Sequence, residues 1–115
     1  MEDRDRTPDK IPMPLPLTRH MRGRDVEKMQ MLLNDLNEYY QFNKKEKEIK
    51  EYGFYGDQTI RMIKEFQKFF GLVSSGMYEF KTHDIVEWKF MNMNVNLAKA
   101  MERSRIEAIM GGRKW

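Results

Sequence analysis

Two short phrases constrain this chain most: Gly23-Arg24-Asp25-Val26-Glu27-Lys28-Met29-Gln30 and Tyr55-Gly56-Asp57-Gln58-Thr59-Ile60, the second followed by Phe66-Gln67. Each sets a glycine and polar residues just ahead of an apolar stripe with helical spacing, and each stripe holds a glutamine among its apolar residues. They read as one helix-opening device used twice in a small domain.

The first stripe is Val26, Met29, Leu33, Leu36 and Tyr40, so a helix is expected to start near Arg24 or Asp25. Asp25 stands where a carboxylate can cap amides and meet the positive helix end. The second helix carries Ile60, Ile63, Phe66 and Phe70, with Asp57 or Thr59 as its cap and Gly71 as its stop. Met62 and Phe69 widen its apolar surface, which marks it as the expected central helix. A third helix is expected after Thr82 as N-cap, with Asp84 in its first turn and Ile85, Trp88, Met91 and Val95 facing inward. No glycine or proline interrupts it before Gly111-Gly112, although Asn92, Asn94 and Asn96 are mediocre helix formers and leave a break open. Gln30 and Gln67 are expected to hydrogen-bond nearby backbone, because a buried unpaired amide costs about 1–3 kcal/mol.

Between the helices, Asn43–Lys50 is a charged stretch with one apolar residue, expected as a solvent-facing extension or long loop. Glu51–Asp57 is a turn in which Gly53 and Gly56 permit unusual backbone angles, and Ser74-Ser75-Gly76 is another. Ahead of the first helix, Pro8, Pro12, Pro14 and Pro16 alternate with Ile11, Met13, Leu15 and Leu17. Proline fixes φ and lacks an amide donor, so this is extended chain. It is either a leader or an arm laid on the domain or a partner, anchored by Leu15 and Leu17.

Composition narrows the function classes. With 115 residues the chain is one domain with tails, and a mean hydropathy of −0.81 leaves no run apolar enough to span a membrane. The net charge of +3 comes from 21 basic and 18 acidic residues intermixed, which argues against a nucleic-acid partner. Zero cysteines exclude disulfides and thiolate metal sites, and no metal or cofactor is expected. Met1-Glu2-Asp3-Arg4-Asp5-Arg6 has no apolar run behind it, so the expectation is a chain made in the cytoplasm without a signal peptide. His20 and His83 lie in no hydrolase or metal motif, so no catalytic residues are expected.

The region from about Leu15 to Trp88 resembles the peptidoglycan-binding domain of bacterial and phage cell-wall proteins, a compact three-helix module. The resemblance rests on Gly23, Asp25-Val26, Met29-Gln30, Tyr52-Gly53, Tyr55-Gly56, Thr59, Phe66-Gln67, Gly71-Leu72, Ser75-Gly76 and Thr82, in order. Tyr52 and Ser75 stand where the family has turn aspartates, and the stretch before Tyr52 is longer than usual. The resemblance implies a mainly α fold with residues 1–18 as the proline-rich arm, 19–90 as the three-helix domain, and 91–115 as a C-terminal helix with a basic aromatic tip, Arg113-Lys114-Trp115.

It also implies a non-catalytic module whose partner is bacterial peptidoglycan. Saccharide recognition wants aromatic faces and planar polar groups, and Tyr52, Tyr55 and Tyr78 with Asp57 and Gln58 are the candidate glycan-binding residues. The apolar arm and the C-terminal segment exceed what a three-helix core needs. They suggest other protein subunits, met through residues 8–18 and 91–115, as in a phage tail, baseplate or other virion part. A purely structural assembly protein and an accessory subunit of a cell-wall lytic enzyme are the alternatives. The expected location is a virion or the bacterial cell wall.

Overall fold

The computed structural model describes Pro8 and residues 10–111; the expected tip at Arg113-Lys114-Trp115 lies outside them. Three helices follow in order, α1 (Arg24–Tyr40), α2 (Asp57–Phe69) and α3 (Phe80–Gly111), and among the described residues extended chain pairs only as isolated bridges.

The α1 stripe forms as its spacing dictates: Val26, Met29, Leu33 and Leu36 are buried, and each contributes about 1.5–3 kcal/mol of transfer free energy. The helix stops at Gln41, whose left-handed backbone (φ 56°) turns its N–H onto the Asn37 carbonyl at 2.7 Å. α2 buries Met62, Ile63 and Phe66 and ends at Phe69. Gly71 just beyond adopts φ 80°, and Leu72 N–H reaches back to the Gln67 carbonyl at 2.7 Å, so glycine ends this helix as its position predicts. Phe42 and Phe66 pack edge-to-face with centroids 5.3 Å apart, filling the space below the α1–α2 junction.

Several sequence expectations are corrected. The central helix is α1, which packs on both α2 and α3. The N-cap residues are Gly23 and Gly56, without side-chain cap bonds, so Asp25 and Asp57 contribute charge to the first turns rather than caps. Thr59 and Thr82 sit inside α2 and α3 as buried acceptors for glutamine amides, at 2.9 Å each from Gln30 and Gln67. Because α3 starts at Phe80, Asp84 falls beyond its first turn. Trp88 is 40% exposed, and Ile85, Met91 and Val95 are half-buried; the inner face of α3 is His83, Val86, Glu87 and Met93. Asn92, Asn94 and Asn96 do not break α3.

Residues 10–17 run across the α1–α3 seam. Ile11 donates its N–H to Glu87 Oε2 at 2.8 Å and places its carbonyl 2.7 Å from His83 Nε2. Lys28 reaches the Pro12 carbonyl at 3.2 Å, and Leu17, fully buried, donates to the Tyr78 carbonyl at 2.9 Å. At the other end, Asn96 donates to the Tyr39 hydroxyl at 3.1 Å, and beyond it Leu97 and Met101 are exposed. The last stretch of α3 therefore projects by about 22 Å at 1.5 Å per residue. This accounts for a long axis of 59 Å against 32 and 26 Å.

Candidate functional site

The site is built by the segment between α1 and α2. Asn37, buried on the last turns of α1, uses its amide nitrogen on the carbonyls of Asn43, Glu46 and Lys47 at 3.0, 3.2 and 2.9 Å, and its oxygen accepts from Asn43 N–H. One turn earlier, Asn34 accepts from Ile49 N–H at 2.7 Å and donates to the Ile49 carbonyl and the Tyr52 hydroxyl. Phe42 and Ile49 enter the core as apolar pegs. Short polar side chains that satisfy backbone groups hold this irregular chain without helix or sheet. On the far side, Arg61 of α2 grips Glu46 with two bonds of 2.7 and 2.9 Å, which holds the Glu46 carboxyl below its ordinary range. Gln58 accepts from Lys50 N–H at 2.8 Å and donates to the Glu48 carbonyl.

What results is an open polar groove of about 720 Å³ between the C-terminal half of α1 and this segment. Asp35, Glu38 and Gln41 line the helix side, Lys44, Lys47 and Glu48 the loop side, and Tyr52 stands at the rim, 50% exposed. Burial and the neighbouring Glu38 charge push the Asp35 carboxyl up.

Of the five residues expected to bind glycan, Tyr52 alone lines this groove. Tyr55 and Tyr78 are corrected: both are core residues, 1% and 0% exposed, with no ring face open to a sugar. Tyr55 donates its hydroxyl to the Gly76 carbonyl and accepts from Tyr78 N–H at 3.2 Å. The Tyr78 hydroxyl meets His83 Nδ1 at 2.7 Å. Desolvation lifts both phenols, Tyr55 to about 12 and Tyr78 well above its usual value. Asp57 is exposed but pairs with Arg19, outside the groove, and Gln58 acts as a brace for the loop. Every groove residue other than Tyr52 is missed from sequence, among them Asp35 and Glu38 on the helix side and Lys44, Lys47 and Glu48 on the loop side; the unusual length and charge of residues 43–50 are the available signal.

Among the described residues no group of three His, Cys, Asp or Glu side chains is placed to hold a metal ion. His83 is engaged by Tyr78 and Ile11, and His20 stacks near Phe54 at 6.1 Å.

The motif residues form two matching braces. Gln30 binds the Gly53 N–H, the Glu51 and Phe54 carbonyls and the Thr59 hydroxyl. Gln67 binds the Gly76 N–H, the Met77 carbonyl and the Thr82 hydroxyl. No curated protein matches this chain. The family model described as a peptidoglycan binding domain matches residues 22–86, which takes in both braces and the groove. That match spans more than half of the sequence, and the chain belongs to the peptidoglycan-binding domain family.

Proposed function

We propose that this protein is a non-catalytic module that holds bacterial cell wall in the groove between α1 and residues 43–52. The supporting observation is the coincidence of a family that binds peptidoglycan with a concavity of about 720 Å³, inside the size range of small-ligand sites, framed by fixed backbone and lined with polar groups. A scaffold held this firmly loses little entropy on binding. The test is co-sedimentation with purified insoluble cell wall at modest salt. The full chain is expected in the pellet, and Tyr52→Ala is expected to lower the bound fraction. Wild-type protein that stays in the supernatant contradicts the proposal.

A second reading, in which the domain serves inside a larger assembly such as a phage tail, baseplate or other virion part, is favoured by the α3 projection. Leu97 and Met101, four positions apart on one face, are exposed there at 44% and 72%, and apolar side chains held out on a projecting helix gain from a partner. The expected partner contact through residues 8–18 is weakened by the seating of Ile11, Pro12 and Leu17 on this chain's own α1, α3 and Tyr78. In this reading residues 91–115 therefore carry the contact with other subunits, with the outer face of residues 8–18 left to add to it, while the groove faces the wall. Light scattering on the full chain tests it: self-association or co-assembly supports it, and a monodisperse monomer whose α3 projection is mobile by NMR contradicts it.

A further inference from the structure

Peptidoglycan offers a binding protein two chemistries. The glycan strand presents sugar rings with apolar C–H faces, hydroxyls and amides. The peptide stems that branch from it carry free carboxylates and, where not crosslinked, a free amine. A strand site needs aromatic platforms. With Tyr55 and Tyr78 in the core, Tyr52 is the one ring among the described residues that lines the groove.

The walls carry charges of both signs instead. Asp35 and Glu38 stand one turn apart on α1, and among the described residues neither lies within 4.0 Å of a basic group. The last turn of α1 holds no basic residue, so the negative helix end adds to the same wall. Opposite them, Lys44 and Lys47 also form no ion pair among the described residues; Glu46 between them is gripped by Arg61, and Glu48 is the one carboxylate that shares their wall of the groove. The Asn37 bonds to the Asn43, Glu46 and Lys47 carbonyls fix the backbone from which both lysines project.

We infer that the groove takes the peptide stem rather than the glycan strand: Lys44 and Lys47 receive its carboxylates, Asp35 and Glu38 its free amine, and Tyr52 covers one end. The assignment rests on the peptidoglycan reading above and narrows it to one part of the polymer. A zwitterionic ligand is the kind that gains from both walls at once, whereas a strand stripped of its stems keeps only the carboxylates left where the stem amides were hydrolysed and offers no amine to Asp35 and Glu38.

The test presents the full-length protein with three probes: intact sacculi, sacculi stripped of their stems by an amidase, and a synthetic stem tetrapeptide with a free amine at its third residue. Sacculi are expected to pull the protein down, and stripped strands, which keep carboxylates but no amine, are expected to bind clearly less. The tetrapeptide is expected to shift backbone amides within residues 34–52. Lys44→Glu/Lys47→Glu weakens tetrapeptide binding by about tenfold, the scale of two exposed charge pairs. Acetylating the peptide amine weakens binding to wild type but not to Asp35→Asn/Glu38→Gln. Each variant is checked for a native amide spectrum first. Stripped strands that bind as well as sacculi, tetrapeptide shifts outside the groove, or no response to charge reversal overturn the stem assignment and leave the peptidoglycan reading standing. Failure of intact sacculi to bind overturns both.

Discussion

Gln30 and Gln67 perform one task at two places, and the chain between each glutamine and its turn differs. Gly53 and Gly76 both adopt left-handed backbone, φ 82° and 80°, and each turns its N–H onto the glutamine oxygen. Thr59 follows Gly53 by six positions, and Thr82 follows Gly76 by six, each accepting from the glutamine nitrogen. Tyr55 joins the two turns through its hydroxyl. Between α1 and Gly53, however, run residues 41–52, whereas residues 70–75 alone separate α2 from Gly76. The short connection lies flat on α2, with Ser74 donating to the Lys64 carbonyl at 3.0 Å. The long one stands away and makes the groove. The brace sets the fold, and the length inserted ahead of it sets the ligand surface.

Breaking each brace gives the largest expected effect. Gln67→Ala orphans the N–H of buried Gly76 and the Thr82 hydroxyl, and should cost about 3 kcal/mol. Gln30→Ala should cost less, about 2 kcal/mol, because Gly53 and Phe54 are half-buried and water can reach them. Urea unfolding of both variants checks the order. Equal losses would show that the longer connection offers no slack.

The link between the turns comes next. Tyr55→Phe leaves the Gly76 carbonyl and the Tyr78 N–H unpaired, at about 2 kcal/mol. It also predicts a pH dependence. Burial lifts the Tyr55 phenol to about 12 and the Tyr78 phenol well above its usual value, so the folded chain keeps protons that the unfolded chain releases near pH 10. Stability from this source is full below about pH 10 and is lost as pH rises toward 12. Unfolding midpoints followed into alkali should fall, and Tyr55→Phe should make the fall shallower.

The two glycines separate the turns more finely. A methyl at Gly53 meets open space, so Gly53→Ala costs only the left-handed backbone, about 1 kcal/mol. At Gly76 the added Cβ would come within 3.0 Å of Ile60 Cγ2 and 3.2 Å of Lys64 Cε, so Gly76→Ala should cost about 0.5 kcal/mol more. Thermal unfolding of the pair measures the gap, and a larger loss at Gly53 would reverse the picture of a tight second turn and a loose first one.

Three helices, the Gly71 stop and the backbone-bonding glutamines were readable from spacing, because each depends on neighbours within a turn or two. The threonines misled because a threonine near a helix start has the same local pattern whether it caps or faces inward; a glutamine from the preceding helix decides. α3 misled for a related reason. Its inner face carries His83 and Glu87, polar residues whose burial depends on partners that Ile11 of the arm supplies from far away in the sequence. That made the Ile85–Trp88 stripe look like the buried one. Tyr55 is tied into the core by long-range bonds of its hydroxyl to Gly76 and Tyr78, and Tyr78 by the backbone bridge to Leu17, none of which a local pattern encodes. The groove was the least legible feature, since it belongs to the inserted length and not to the motif.

The smallest expected effect asks whether the long connection is independent of its brace. Glu46→Gln removes the charge that Arg61 grips from α2. The pair is solvent-facing, so the global unfolding midpoint at neutral pH should not move measurably. Because Arg61 holds the Glu46 carboxyl low, what the wild-type pair contributes is present above the ordinary carboxylate range and is lost as pH falls below that range, through the lowered value of Glu46. Local opening should change: amide hydrogen exchange across residues 44–50 should quicken in the variant, while residues 70–76 stay as they were. Unchanged exchange would assign the loop's rigidity to Asn34, Asn37 and Gln58 without help from the ion pair. A midpoint that drops as far as in Gln30→Ala would mean that loop and brace open as one unit, and the division between a fold-setting brace and a ligand-setting insertion would not hold.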